Sequence, residues 1–334
     1  MREAWGGVRA EAQELVRKRE YRSPWQLLSI ANGAFWPVLL YAYVYYTSLG
    51  SLRFYHWPWA VVLGLVPGLA VCIAASAEAR RRLRSEIPGR SLVSLTVCLW
   101  FALVAGLLAG DRSYWGYMAS YFNYQDLASY SDIDPSVDKG QSYMDAGQVY
   151  FKEGTVVATH EMVAFQSGHV YCAAPIVGQP IWNQGDAEQV KASGPLSMPQ
   201  SGTVDFWAVG TDCCDQSSGT FACGAVGDPR ARAGLRMLWD DARPFYMMAV
   251  QEWTARLCPP DDNTAEGRNR ASPLICLPAR HPLFFHWVRD PIHEVDAYQD
   301  KAMRLYGMHV FLFFMANLFL TLGLLWALFH AGIR

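Results

Sequence analysis

The sequence predicts a membrane protein with four transmembrane α-helices and one large α+β domain, stabilised by disulfides, on the extracytoplasmic side between helices three and four. Three observations carry that prediction. Residues 27–49, 58–77, 91–110 and 308–330 hold no Asp, Glu, Lys or Arg, and each run is long enough to cross a hydrocarbon layer of roughly 30 Å as a helix. Six of the eight cysteines fall between the third run and the fourth. The basic residues outside that segment gather before the first run and between the second and the third. Bulk composition conceals the plan: a hydrophobic fraction of 52% is ordinary, because the polar domain dilutes the apolar runs.

Residues 1–26 form a basic segment carrying Arg2, Arg9, Arg17, Lys18, Arg19 and Arg22. A helix over 3–20 places Trp5, Val8, Ala12, Leu15 and Val16 on one side. That is the pattern of an amphipathic helix on an inner membrane surface, its arginines near anionic headgroups. The segment is too charged and the following apolar run too long for a cleaved signal peptide, so span one is expected to act as an uncleaved anchor. The turn after span one has only Arg53, whereas the loop after span two has Arg80, Arg81, Arg82, Arg84 and Arg90. Retained basic residues mark the cytoplasmic side. Both termini and the 80–90 loop are therefore expected inside, and residues 111–307 outside or in a lumen. The membrane expected is the plasma membrane or an endomembrane; in an organelle inner membrane the basic side would be the matrix.

Aromatic residues cluster where the spans end: Trp57 and Trp59 at the second, Tyr114, Trp115 and Tyr117 after the third, Tyr306 before the fourth. Amphipathic rings favour the headgroup level. None of the spans contains Asp, Glu, Lys or Arg, and their only histidines are His309, at an edge, and His330, at an end. Pumps, voltage sensors and ion-coupled carriers need membrane-embedded ionisable groups, so the spans argue against those classes. They carry packing chemistry instead. Gly64 with Gly68 and Gly106 with Gly110 have the small-xxx-small spacing that lets helix backbones approach. Asn32, Asn317 and Thr321 can hydrogen-bond between helices, and Pro37 and Pro67 are expected to kink theirs.

The domain over 111–307 opens with an aromatic stretch, 114–130, expected to continue helix three, followed by a loop over 132–147. Short β-branched and aromatic runs at 149–151, 155–159, 169–173, 203–209 and 220–226 predict strands, with a long surface loop at 178–202. Asp228-Pro229 predicts a helix start, interrupted at Pro244 and resuming to Leu257; Asp290-Pro291 predicts another, running into span four. Cys172, Cys213, Cys214, Cys223, Cys258 and Cys276, even in number and on the oxidising side, predict three disulfides. The neighbours Cys213 and Cys214 should reach separate partners, because adjacent side chains diverge along an extended chain. Cys258 with Cys276 is the simplest bridge to draw. With no Cys-x-x-Cys pair, a zinc site is the less favoured reading.

Catalytic signals are sparse. His160-Glu161 opens like a zinc-protease helix, yet Ala164 stands where the second histidine belongs. Asp132-Ile133-Asp134 has metal-binding spacing in a polar loop, and neither a Gly-x-Ser-x-Gly elbow nor a phosphate-cradling glycine loop occurs. His281, His286 and His293 lie close in sequence to Asp290 and could form a ligand cluster with it; no catalytic residue, cofactor or metal is assigned. The outer domain has more Asp and Glu than Lys and Arg, so it offers no basic footprint for nucleic acid.

Four spans, inner termini and a cysteine-bearing loop between spans three and four resemble the layout of tetraspanins, and Cys213-Cys214 is similar to the start of their Cys-Cys-Gly motif. Asp215 replaces that glycine and the first outer loop is short, so the likeness is one of plan. A second resemblance lies in the words themselves. Val204-Asp205-Phe206-Trp207-Ala208-Val209-Gly210, Phe221-Ala222-Cys223-Gly224-Ala225, Ala233-Gly234-Leu235-Arg236 and Pro282-Leu283-Phe284-Phe285 resemble an uncharacterised membrane-protein family abundant in dinoflagellate algae. That resemblance covers about 140–330 and implies no particular activity. The function expected is a non-enzymatic scaffold or accessory subunit, in contact with lipid and with a protein partner or its own copies. The alternative is a membrane-anchored enzyme or small-ligand receptor; a channel is less favoured.

Overall fold

The computed structural model describes residues 31–84, 90–178, 204–215, 218–238, 241–257 and 281–330. The basic segment 1–26, most of the predicted loop at 178–202, and Cys258 and Cys276 lie outside the described residues. The chain divides into two compact units, one of Met1–Phe122 with Tyr298–Arg334, the other of Asn123–Ala297. In chain order the described helices are α1 (31–49), α2 (Ser51–Tyr55), α3 (Trp57–Arg84), α4 (Arg90–Ser113), α5 (Ala119–Gln125), α6 (Arg243–Leu257) and α7 (Pro291–His330). A π-helical turn, Tyr114–Met118, joins α4 to α5.

Among the described residues, three helical stretches are long and apolar enough to cross a membrane: α3, Leu92–Gln125 and Pro291–Leu324. Only 22%, 33% and 17% of their most apolar windows is buried within the protein, so their remaining side chains must meet lipid or another protein. Residues 31–49 are helical too, while 27–30 of the predicted first span lie outside the described residues. That helix is the hub of its unit. Tyr41, Val44, Tyr45 and Leu49 are buried in one cluster with Leu99 and Leu103 of α4 and Phe313 of α7.

Glycines set the approach to α1. A Cβ on Gly106 would lie 3.1 Å from the Tyr41 carbonyl oxygen, and one on Gly110 2.6 Å from Ser48 Cβ. A Cβ on Gly64 would lie 2.8 Å from Thr47 Oγ1, and one on Gly68 2.8 Å from Leu103 Cδ1 and 3.4 Å from Leu40 Cδ1. The prolines are accommodated by neighbours. Pro37 has no N–H to offer the Gly33 carbonyl four residues back; Asn317 Nδ2 donates to that oxygen at 3.1 Å and Thr321 Oγ1 at 3.3 Å. Pro67 likewise frees the Leu63 carbonyl, which accepts from Tyr43 Oη at 2.6 Å. Such replacement donors are what make proline tolerable where water is absent.

The second unit is a mixed sheet in the order β1-β2-β9-β10-β6-β5-β3, with β4 on β5. The strands are β1 (Ala128–Ile133), β2 (Ala146–Phe151), β3 (Val156–Val157), β4 (Val163–Ser167), β5 (His169–Val177), β6 (Phe206–Thr211), β9 (Ala233–Arg236) and β10 (Leu283–Val288). β7 (Cys214–Asp215) and β8 (Thr220–Phe221) form a separate hairpin. Alternation divides the core between two faces. Phe151, Ile176, Phe206, Phe285 and Trp287 pack on one face, with Phe221 and the cysteines. Val163, Trp207, Val209 and Phe284 pack on the other against Tyr246, Val250 and Trp253 of α6.

Four sequence-based expectations are corrected in this unit. The helix leaving α4 ends at Gln125, and 128–130 belong to edge strand β1, whose first residue is held by the Asp145 carbonyl. β1 also takes Asp132 and Ile133 from the predicted loop. Asp228-Pro229 starts no helix: Asp228 Oδ1 accepts from the Arg230 N–H at 2.9 Å, closing a turn two residues on, and the chain enters β9. The helix predicted there begins at Arg243 instead, with Pro244 in its first turn, where a missing N–H costs nothing. At Asp290-Pro291 the helix does form; Asp290 Oδ1 accepts from the N–H of Ile292 at 3.1 Å and of His293 at 3.4 Å, and α7 runs 40 residues.

Candidate functional site

The densest chemistry in the sheet unit lies where β5 and β6 meet the β7–β8 hairpin. Cys172 sits on β5 opposite Gly210 of β6. Asp212, at φ 57°, turns the chain out of β6; its Oδ1 accepts from the Val170 N–H at 2.8 Å and its Oδ2 lies 2.7 Å from His169 Nδ1. Aspartate adopts this left-handed conformation at lower cost than most residues. The turn delivers Cys213 and Cys214 to different partners, giving the bridges Cys172–Cys214 and Cys213–Cys223. The Sγ atoms of Cys172, Cys213 and Cys223 lie within 4.8 Å of one another. They stack under Gly210, where a Cβ would run into Cys213 Sγ and both side-chain atoms of Cys223. As disulfides these sulfurs are not thiolate ligands.

The exposed carboxyl of Asp212 is held below the ordinary range, first by the Val170 N–H and then by His169. Gly224, at φ 65°, lets the chain pass Trp287 so closely that a Cβ would collide with its carbonyl oxygen.

Of the predicted cluster, His293 meets Asp290, its backbone N–H donating to Asp290 Oδ1 at 3.4 Å. His286 lies within β10, on the face of Phe284, opposite Leu235 of β9. Burial lowers its pKa, with a backbone bond at Val209 acting in the opposite direction. Asp290 caps α7 and also accepts from Tyr150 Oη at 2.8 Å. That bond, with the two amides of the cap, lowers the Asp290 pKa, while burial and then Asp290 push Tyr150 up to about 12. His281 precedes β10 and His293 follows the cap, both exposed.

The helical unit holds one buried polar knot that sequence reading did not pick out. Tyr45 Oη lies 2.6 Å from Ser113 Oγ and 2.9 Å from His309 Nδ1, linking α1, α4 and α7. Arg53 pairs with Asp111 and covers the Tyr114 ring at 4.2 Å. Asn317 lies on α7 with Nδ2 also donating to the Ala34 carbonyl at 3.0 Å. No spacing rule joins positions 45, 113 and 309; the signal was the tyrosine-rich face of the first span. No family model, curated protein or solved structure matches this chain.

Proposed function

We propose that the chain is a four-pass membrane protein whose sheet domain lies on the extracytoplasmic side and works by binding, as a scaffold or accessory subunit for a protein partner or a second copy. The observation that carries this reading is where the reactive side chains of the domain are spent. Cys172, Cys213, Cys214 and Cys223 are in disulfides, Asp290 caps a helix, Asp212 braces a turn, and His286 is desolvated within a strand. Groups committed to structure are poor nucleophiles and bases. Among the described residues of the domain, those commitments favour surface recognition over catalysis.

A fourth pass is supported by the role of α1. Its inward tyrosines lower its hydropathy, but they face helices, with Tyr45 hydrogen-bonded inside the unit. Its other side leaves Phe35, Trp36, Leu39, Tyr43 and Tyr46 exposed, an apolar and aromatic surface suited to lipid. The basic 80–90 loop supports the inside-termini orientation. Membership of the dinoflagellate family belongs to the same proposal, on the residue words quoted above.

The test is purification of the full chain in mild detergent, with mass measurement of the intact particle. A stoichiometric partner or a defined homo-oligomer is the expected result. A monomer that crosslinks to nothing in native membranes overturns the reading.

A further inference from the structure

Four cysteines of the sheet unit meet around Gly210. Cys172 lies opposite it across the β5–β6 ladder, and a Cβ there would meet the Sγ atoms of both Cys213 and Cys223. The Sγ atoms of Cys172, Cys213 and Cys223 lie within 4.8 Å of one another, and Cys214 is bonded to Cys172. The two bridges are therefore packed side by side, with Cys172 of one close to both sulfurs of the other. Each bridge joins a buried residue, Cys172 or Cys223, to a half-buried one, Cys214 or Cys213. With both bridges closed no sulfur in the group is a nucleophile; a thiolate appears once one bridge is opened.

We propose that Cys172 is the centre of a thiol–disulfide exchange that begins when a dithiol reductant opens Cys172–Cys214. One thiolate of the dithiol attacks Cys214 Sγ, the more exposed end; a bond forms between those sulfurs, the Cys172–Cys214 bond breaks, and Cys172 leaves as a thiolate. The second thiol of the dithiol, deprotonated, displaces Cys214, which takes up a proton as the reductant closes its own disulfide. The dithiol has then given up two electrons. Cys172 next attacks Cys213 or Cys223, forming a bridge to one and releasing the other as a thiolate, a step that transfers no net electrons. Holding the attacking and attacked sulfurs in one fold replaces a bimolecular encounter by an intramolecular one. Cys172 therefore outcompetes a dissolved thiol for that bridge. The product keeps β5 tied to Cys213, after β6, or to Cys223, after β8, and leaves Cys214 of β7 as a half-buried thiol. This exchange is independent of the partner-binding reading and of the number of membrane passes.

The full chain carrying Cys214→Ser, in detergent, leaves three of these sulfurs for one bridge. Trypsin cuts after Lys152, Lys191 and Arg230, which puts Cys172 in one peptide and Cys213 with Cys223 in the next. The variant is incubated at mildly alkaline pH without oxygen, so that thiols ionise and no bridge is added, then quenched in acid, alkylated and digested without reduction. Two of the three pairings open to three sulfurs include Cys172, so the joined pair of peptides is expected as the major species. Separate peptides, with Cys172 alkylated throughout, overturn the proposal, and so does Cys172 joined to the peptide of Cys258 or Cys276. Should that variant fail to fold, the parent chain decides. After limiting dithiothreitol and the same work-up, peptides still joined through Cys172 should carry the alkyl label on Cys214, located by fragmentation. Labels found only on Cys172 with Cys214, or only on Cys213 with Cys223, would leave the native pairings alone and overturn it.

Discussion

At the scale of single residues, the carbonyl oxygens of Gly33 and Leu63 are where one substitution should tell most. Each lost its helical donor to a proline, and each now depends on a side chain from a neighbouring helix. Asn317→Leu removes the amide donor to Gly33 and Ala34, leaving Thr321 on Gly33, and should destabilise the helical unit by about 1 kcal/mol, the usual scale of an interhelical hydrogen bond in a membrane. Tyr43→Phe removes a single bond and should cost less. Reversible unfolding in mixed micelles checks both, and an Asn317→Leu variant as stable as the parent would contradict the assignment. The Tyr150–Asp290 pair gives a pH prediction. The Asp290 pKa is depressed in the folded state, so its contribution is present above the unfolded carboxyl range and is lost as pH falls through the folded value, below about 4. Tyr150 is raised to about 12, so the folded domain keeps a neutral phenol while the unfolded chain ionises, and stability should fall from about pH 10 to about 12. Tyr150→Phe should remove that alkaline loss, as read from melting temperature against pH.

At the scale of elements, the disulfide corner is the part most sensitive to crowding. Gly210→Ala puts a methyl group against Cys213 and Cys223, so the 213–223 bridge should form incompletely, read as free thiol by alkylation and mass measurement. Cys172→Ser with Cys214→Ser should destabilise the sheet unit by about 2–5 kcal/mol, the usual consequence of removing a bridge from such a domain. The same corner shows what the chain made legible. That Cys213 and Cys214 part company follows from backbone geometry alone, but their partners depend on β5 lying beside β6, which no local pattern specifies. β2, β5 and β6 could be read from β-branched and aromatic runs. β10 could not: buried on both faces, Leu-Phe-Phe-His-Trp-Val lacks the alternation that marks a strand, and its histidine drew attention to a cluster instead. β1 is a polar edge strand, Ala-Ser-Tyr-Ser-Asp-Ile, with little to set it apart from loop. β9 followed an Asp-Pro pair that elsewhere in the chain does begin a helix.

At the scale of the whole molecule, charge-free runs, inward-packed glycines and a disulfide-bonded sheet domain inserted between two span-length helices belong to one physical scheme. Apolar helices need lipid, close helix packing needs glycine, and disulfides persist on the oxidising side. Gly106→Leu should therefore disrupt the helical unit while the sheet domain keeps both bridges, seen as lost detergent stability with an unchanged non-reduced peptide map. The central claim concerns sidedness, and protease treatment of sealed, oriented vesicles tests it most directly. Protease added from the extracytoplasmic side should cut within 111–307 and leave the 80–90 loop intact until detergent opens the vesicle. Cleavage of the 80–90 loop from that side, with 111–307 protected, would contradict the account.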